Sequence, residues 1–195
     1  MKNTINIRPT VGYLSVLSRI NYTPWHAMAE FVDNSIQSYL DNKSKLKNLH
    51  SNYKLKIDIY VSSSVIEIKD NAAGIDEQNY ERAFQAAMRP KKIAGLSEFG
   101  MGMKTAACWF SNLWIVKSKA LDEDFFTEAR FDIEKITSEK NDELNYKKEK
   151  ASKNNHYTEL LLKILITTQE AEVLKELKII WLLCTDLLLK KKMLK

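Results

Sequence analysis

The amino-acid sequence predicts an α+β domain, a two-layer sandwich with helices on one face of a mixed, mostly antiparallel sheet. Three observations carry that expectation. The chain opens with helical periodicity through "VGYLSVLSRINYTPWHAMAEFVDNSIQSYLDN". Two alternating runs, Leu55–Val61 and Val65–Lys69, then flank a Ser-rich turn in the pattern of a β-hairpin. After them come a helix, a loop, a second helix and further strands.

Taken in order, the first stretch reads as a short helix followed by a long one, with Thr23 as N-cap and Pro24 at the first helical position. Val32, Ile36 and Leu40 form the expected buried stripe of the long helix, and Glu30, Asp33, Asn34 and Gln37 form a polar row beside it. "DEQNYERAFQAAM" reads as a helix capped by Asp76, and "RPKKIAGLSEFGMG" as a loop by composition. "KTAACWF" restarts a helix near Lys104. "LWIVKSKA" and "FFTEARFDI" read as strands, "SEKNDELNYKKEKASKNN" as a solvated connection, and "HYTELLLKIL" as a last strand.

The 195 residues suffice for one domain with a real core and a short appendage. Net charge is +5 with the lysines spread along the chain, a weak lean toward anionic partners that does not by itself indicate nucleic acid. Cys108 and Cys184 lack metal-ligand spacing, "MKNTINIRPT" lacks an apolar targeting core, and no apolar run reaches the length of a membrane span. A reduced, cytoplasmic protein with no membrane partner is the expectation. His26, His50 and His156 share no ligand spacing, although His26 lies one turn before Glu30 and could tune it. Trp25, Trp109 and Trp114 read as core anchors and Cys108 as a small buried residue.

Glycine usage points to a ligand. Four of the five glycines lie between positions 74 and 102, in "DNAAGI" and "GLSEFGMGMKTA". Glycine suits a backbone that needs positive φ or a close approach to another group. Gly95, Gly100 and Gly102 precede a helix, so N–H groups and the positive end of the helix dipole face an anion, and Lys104 adds a full charge. Phosphate is the expected anion. A P-loop fails because Met101 stands where lysine must follow Gly100, a dinucleotide fingerprint fails at Thr105, and the protein-kinase signatures are absent.

"EFVDNS", "DNAAGI" and "GLSEFGMGMKTA", in that order, resemble the GHKL (Bergerat) ATP-binding fold of DNA gyrase B, MutL, heat-shock chaperones, MORC ATPases and sensor histidine kinases. The resemblance covers roughly residues 10–165. It implies ATP and Mg²⁺ as ligands. Glu30 takes the place of the glutamate that activates the attacking water, and Asn34, one turn later, that of the Mg²⁺-binding asparagine. The i,i+4 spacing puts the two about 5–6 Å apart on one face. Asp70 takes the place of the adenine-binding aspartate, with Gly74 and Ile75 beside it, and Ala72 departs from the usual glycine. Gly100, Met101, Gly102, Met103, Lys104 and Thr105 stand in the phosphate-binding turn, with Lys104 also assisting catalysis. Thr158 stands where a threonine supports the aspartate, with Tyr157 in place of the usual glycine.

The resemblance further implies slow, Mg²⁺-dependent ATP hydrolysis. The alternative is an ATP-gated dimerisation or interaction module without significant turnover. A nucleotide-dependent homodimer is a partner that both readings admit. The acidic Glu30 disfavours a phosphotransferase of the histidine-kinase type. Arg89–Met103 is expected to order when nucleotide binds. Residues 1–165 are expected to form the ATP-binding domain. Residues 166–195 read as an apolar and basic tail, either an amphipathic helix or a frameshifted continuation of a longer, truncated protein: shifted-frame back-translation admits a proline–glycine turn followed by a basic helix. The coding DNA distinguishes the two.

Overall fold

The computed structural model describes residues 10–49, 51–85 and 101–164. Gly95, Gly100, His50, most of the 89–103 loop and the 166–195 tail therefore lie outside the described residues.

The described elements are α1 (Tyr13–Leu17), α2 (Pro24–Leu49), β1 (Ile57–Val61), β2 (Val65–Asp70), a 3-10 turn (Glu77–Asn79), α3 (Tyr80–Phe84), α4 (Gly102–Phe110), β3 (Leu113–Lys119), β4 (Phe125–Asp132), α5 (Ile133–Glu139), β5 (Tyr146–Lys150) and β6 (Tyr157–Lys163). Six strands form one sheet in the order β1-β2-β6-β3-β4-β5, and every pairing is antiparallel. The last strand inserts between β2 and β3. That insertion sets Thr158 directly opposite Asp70 on one side and Ser118 on the other, so the strand ends that carry polar site residues meet.

Alternation explains the sheet. Ile66 and Ile68 of β2, Trp114 and Val116 of β3, Ala129 and Phe131 of β4, and Leu160 and Leu162 of β6 all turn inward and are buried. Trp114 stacks on Phe131 with ring centroids 3.7 Å apart. The helical layer closes the core with Leu14 and Leu17 of α1, Ala27 and Phe31 of α2, and Ala106, Ala107, Cys108 and Phe110 of α4. Each large apolar side chain so buried contributes about 1.5–3 kcal/mol before entropy is counted. Phe31 and Phe110 stack at 6.2 Å, which fixes α2 against α4.

Several expectations are corrected. The buried row of α2 is Ala27, Phe31 and Ser35; Leu40 is half exposed, and Val32 and Ile36 are only partly covered. The Phe31–Phe110 contact rotates the helix so that this row, immediately beside Glu30 and Asn34, faces the core. Trp25 is half exposed and lies against the His26 ring rather than anchoring the core. The stretch expected to be a solvated connection contains the end of α5 and all of β5. All five residues of β5 are exposed, and it forms because the outer edge of β4 offers backbone partners from Phe125 to Ala129. Lys147, Lys148 and Lys150 suit a sheet edge that must not pair further. Asp76 does not cap the following turn from its side chain; its carboxylate accepts from Asn79 Nδ2 instead. Helix α4 starts at Gly102, two residues earlier than its apolar pattern begins.

Candidate functional site

At one end of the site stands Asp70, the last residue of β2, buried against α2. Ser35 Oγ donates to Asp70 Oδ2 at 2.7 Å and the Ala72 amide donates to Oδ1 at 2.8 Å. Burial pushes the carboxyl pKa up, while the bonds from Ser35, Ala72 and the Thr158 backbone pull it back. The loop that follows is pinned at successive carbonyls. Tyr53 Oη donates to Asn71 O, His156 Nδ1 to Ala72 O at 2.8 Å and the Leu121 amide to Ala73 O at 2.8 Å. Gly74 has φ +73°, and a Cβ there would lie 2.2 Å from the Lys119 carbonyl oxygen, so glycine is required by both conformation and space. Ile75 presents its amide to Ser118 Oγ at 2.8 Å. Ala72 lies outside the positive-φ set and is fully buried, so its methyl fits where the related motif has glycine.

At the other end, Glu30 projects from α2 toward the start of α4, with Asn34 one helical turn further along α2. Gly102 is the contact. A Cβ on it would lie 1.9 Å from Glu30 Oε2, so the carboxylate rests against the first turn of α4 only because that residue has no side chain. The first-turn amides of a helix have no intrahelical partner, and the dipole there favours negative charge. Met101 caps the helix, its carbonyl accepting from the Thr105 amide at 2.9 Å, while Met103 follows Gly102 in the first turn of α4 and packs against the core. Glu30 Oε1 accepts from Tyr22 Oη at 3.0 Å. Asn34 Nδ2 donates to the Glu30 backbone carbonyl at 2.7 Å. A carbonyl can accept only from the amide nitrogen, so the amide orientation is settled and Oδ1 is the atom left to take a cation. Among the described residues no group of three or more His, Cys, Asp or Glu could hold a metal. A single neutral side-chain oxygen is a donor that an ion such as Mg²⁺ can use, since it keeps several waters and takes few protein oxygens.

Lys104 points elsewhere. It is buried, and its Nζ donates to Ala83 O at the end of α3 at 2.8 Å. Residues two apart on a helix do not share a face, so Lys104 is turned away from the Gly102 side of α4. Burial, then the nearby Arg82 charge, lowers its pKa to about 8. Thr105 is buried within the same helix. Thr158 Oγ1 lies 3.5 Å from Ser118 Oγ, so the hydroxyl on Asp70 comes from Ser35.

Three contacts to candidate site residues are not signalled by the motifs. Ser35 continues the four-residue spacing of Ala27 and Phe31, and a serine within a buried row was the available signal. Ser118 sits amid an ordinary strand pattern and gave none. Tyr22 lies eight residues before Glu30, across the turn into α2. His26, one turn before Glu30, shares a hydrogen bond with Thr23 Oγ1 at 2.8 Å.

A cleft of about 460 Å³ also opens beside Asp70, between residues such as Tyr53, Lys56, Lys69 and Tyr157. It includes neither Glu30, Asn34 nor Gly102, whereas the Ser35 bond holds the Asp70 carboxylate toward α2. Helix α2 contacts both ends, through Ser35 at Asp70 and Glu30 at Gly102.

A family model described as histidine kinase-, DNA gyrase B- and HSP90-like ATPase matches residues 22–168, more than half of the chain. The chain belongs to this ATPase family. The match spans α2 through β6 and thus both ends of the site. A search of curated proteins finds no match. The antiparallel sheet with helices on one face is the architecture expected of the histidine kinase-, gyrase B- and HSP90-like fold, and ATP binding is the general property of its members. Among the described residues, no helix is long and apolar enough to cross a membrane.

Proposed function

We propose that the chain binds ATP between α2 and the start of α4 and hydrolyses it slowly in a Mg²⁺-dependent way. The observation that carries this reading is the packing of the Glu30 carboxylate on Gly102, which sets a candidate base against amides suited to phosphate. Asp70 accepts the adenine amino group, with its carboxylate oriented by Ser35 and the Ala72 amide. Backbone amides at Gly100, Met101, Gly102 and Met103 receive the phosphates, and Lys104 adds its charge after releasing Ala83. Asn34 Oδ1 would hold a Mg²⁺ ion, which would supply charge neutralisation to the phosphates.

Glu30 orients a water and takes its proton on Oε2 as the water oxygen bonds to the γ-phosphorus. The bond from that phosphorus to the β,γ-bridging oxygen breaks, ADP departs, and the proton on Glu30 passes to solvent. General-base assistance of this kind is worth about 10²–10⁴ in rate. Phosphate release with Mg²⁺ and with chelator tests the reading. Turnover should require Mg²⁺ and be lost in Glu30→Ala while ATP binding persists. Binding without any turnover in the wild type would replace the reading with an ATP-gated interaction module, for which nucleotide-dependent dimerisation is the readout.

A further inference from the structure

Glu30 is held at both carboxylate oxygens. Oε2 lies against Gly102, and Oε1 accepts from the Tyr22 hydroxyl at 3.0 Å. Tyr22 comes from the turn between α1 and α2, where its amide donates to Ile20 O at 2.9 Å. Its half-buried ring lies 6.3 Å from that of Trp109 on α4. The phenol is thus supported by the helix that carries Gly102, and it bridges this helix to the glutamate on α2. His26, at the helical spacing that would seem to suit Glu30, bonds Thr23 and lies against the Trp25 ring.

We propose that Tyr22 is the positioning residue of the candidate base: its hydroxyl occupies Oε1 and so leaves Oε2, on the side of α4, to receive the proton from water. This rests on the hydrolytic reading of the site. A carboxylate on a flexible side chain samples several rotamers, and a bond at one oxygen selects the rotamer that keeps the other at the α4 turn. A tyrosine hydroxyl suits that task because it does not compete for the proton near neutral pH. Burial first, then the hydrogen bond from Tyr22 and the charge on Glu30, push its pKa up to about 12.

The consequence is a separation of kinetic constants. Tyr22→Phe keeps the ring against Trp109 and removes only the hydroxyl. It should lower kcat about tenfold while KM and the affinity for a non-hydrolysable ATP analogue stay within about twofold, since the lost bond acts on the base and not on the nucleotide. A second measurement reports on the contact without turnover. With tyrosine labelled at Cζ, the Tyr22 signal, assigned by its loss in Tyr22→Phe, should titrate near 12 in the wild type and lower in Glu30→Ala.

Wild-type kcat in Tyr22→Phe overturns the proposal even where hydrolysis is robust, as does an equal rise in KM. A Tyr22 titration indifferent to Glu30→Ala shows that the contact is absent and also overturns it. A wild type that releases no phosphate overturns the hydrolytic reading, and the catalytic role of Tyr22 with it.

Discussion

Gly102→Ala perturbs the proposed base without touching it. The added Cβ would sit 1.9 Å from Glu30 Oε2 and 2.7 Å from Cδ, whereas ordinary contact begins at 3.4 Å. The carboxylate must therefore retreat by about 1.5 Å, the difference between those oxygen distances. The Tyr22 bond, 3.0 Å long, does not survive a retreat of that size. Loss of a hydrogen bond to a charged group costs about 1.5–3 kcal/mol, less here because the pair is only partly buried. Alanine in place of helical glycine returns up to about 1 kcal/mol. The net destabilisation should be about 1 kcal/mol, a fall in Tm of roughly 2–4 °C. Activity should suffer far more, because a misplacement of about 1 Å costs on the order of 10²-fold in rate. Thermal unfolding and phosphate release on the same preparation measure both. Wild-type turnover in a folded Gly102→Ala protein would refute the placement of Glu30 as base at the α4 turn. A loss of Tm far beyond this range would show that Gly102 serves the fold instead.

Gly74→Ala should behave in the opposite way. Its obstacle is the backbone carbonyl of Lys119 at 2.2 Å, at positive φ, so nothing flexible can retreat; the cost should reach about 2–4 kcal/mol, read by denaturant unfolding. Lys104 sets a pH dependence. Its folded pKa of about 8 lies below the ordinary 10.5, so the stability it contributes is fully present above 10.5 and is lost as pH falls through 8. That gap corresponds to about 3 kcal/mol at most. Lys104→Met should remove this term, so the wild type, measured relative to the variant, should gain stability between those values while the raised tyrosines cancel in the comparison. At neutral pH Lys104→Met should be the more stable protein and the weaker ATP binder, as unfolding and calorimetry would show.

Legibility followed the physics of each element. The hairpin, β3, β4 and β6 were readable because they bury one face, which writes alternation into the sequence, as in Ile66–Ile68 and Leu160–Leu162. All of β5 is exposed, so "YKKEK" carries no such signal; it is held by backbone pairing to β4 and by contacts such as Tyr146 on Tyr80 and Lys148 on Glu77. Asp70, Gly74, Glu30 and Asn34 stand out as candidates because residue type and order suit the chemistry. Their supports do not. Tyr22 and Ser118 reach Glu30 and Ile75 through tertiary placement that no local spacing encodes. Lys104 reads from sequence as a phosphate ligand, yet its Nζ is bonded to Ala83, a partner fixed only when α3 packs near α4.

The proposed site holds ATP with adenine at Asp70 and phosphates at the start of α4. Calorimetry with a non-hydrolysable ATP analogue and Mg²⁺ tests it most directly, comparing the wild type with Asp70→Asn. One site per chain is expected, preferring the adenine to the guanine nucleotide. Binding should be weakened about tenfold or more in Asp70→Asn, where an acceptor-only carboxylate becomes a mixed amide, and the fold should be kept. A folded wild type that gives no binding heat at any tested temperature, or an Asp70→Asn variant that binds as tightly as the wild type, would contradict it.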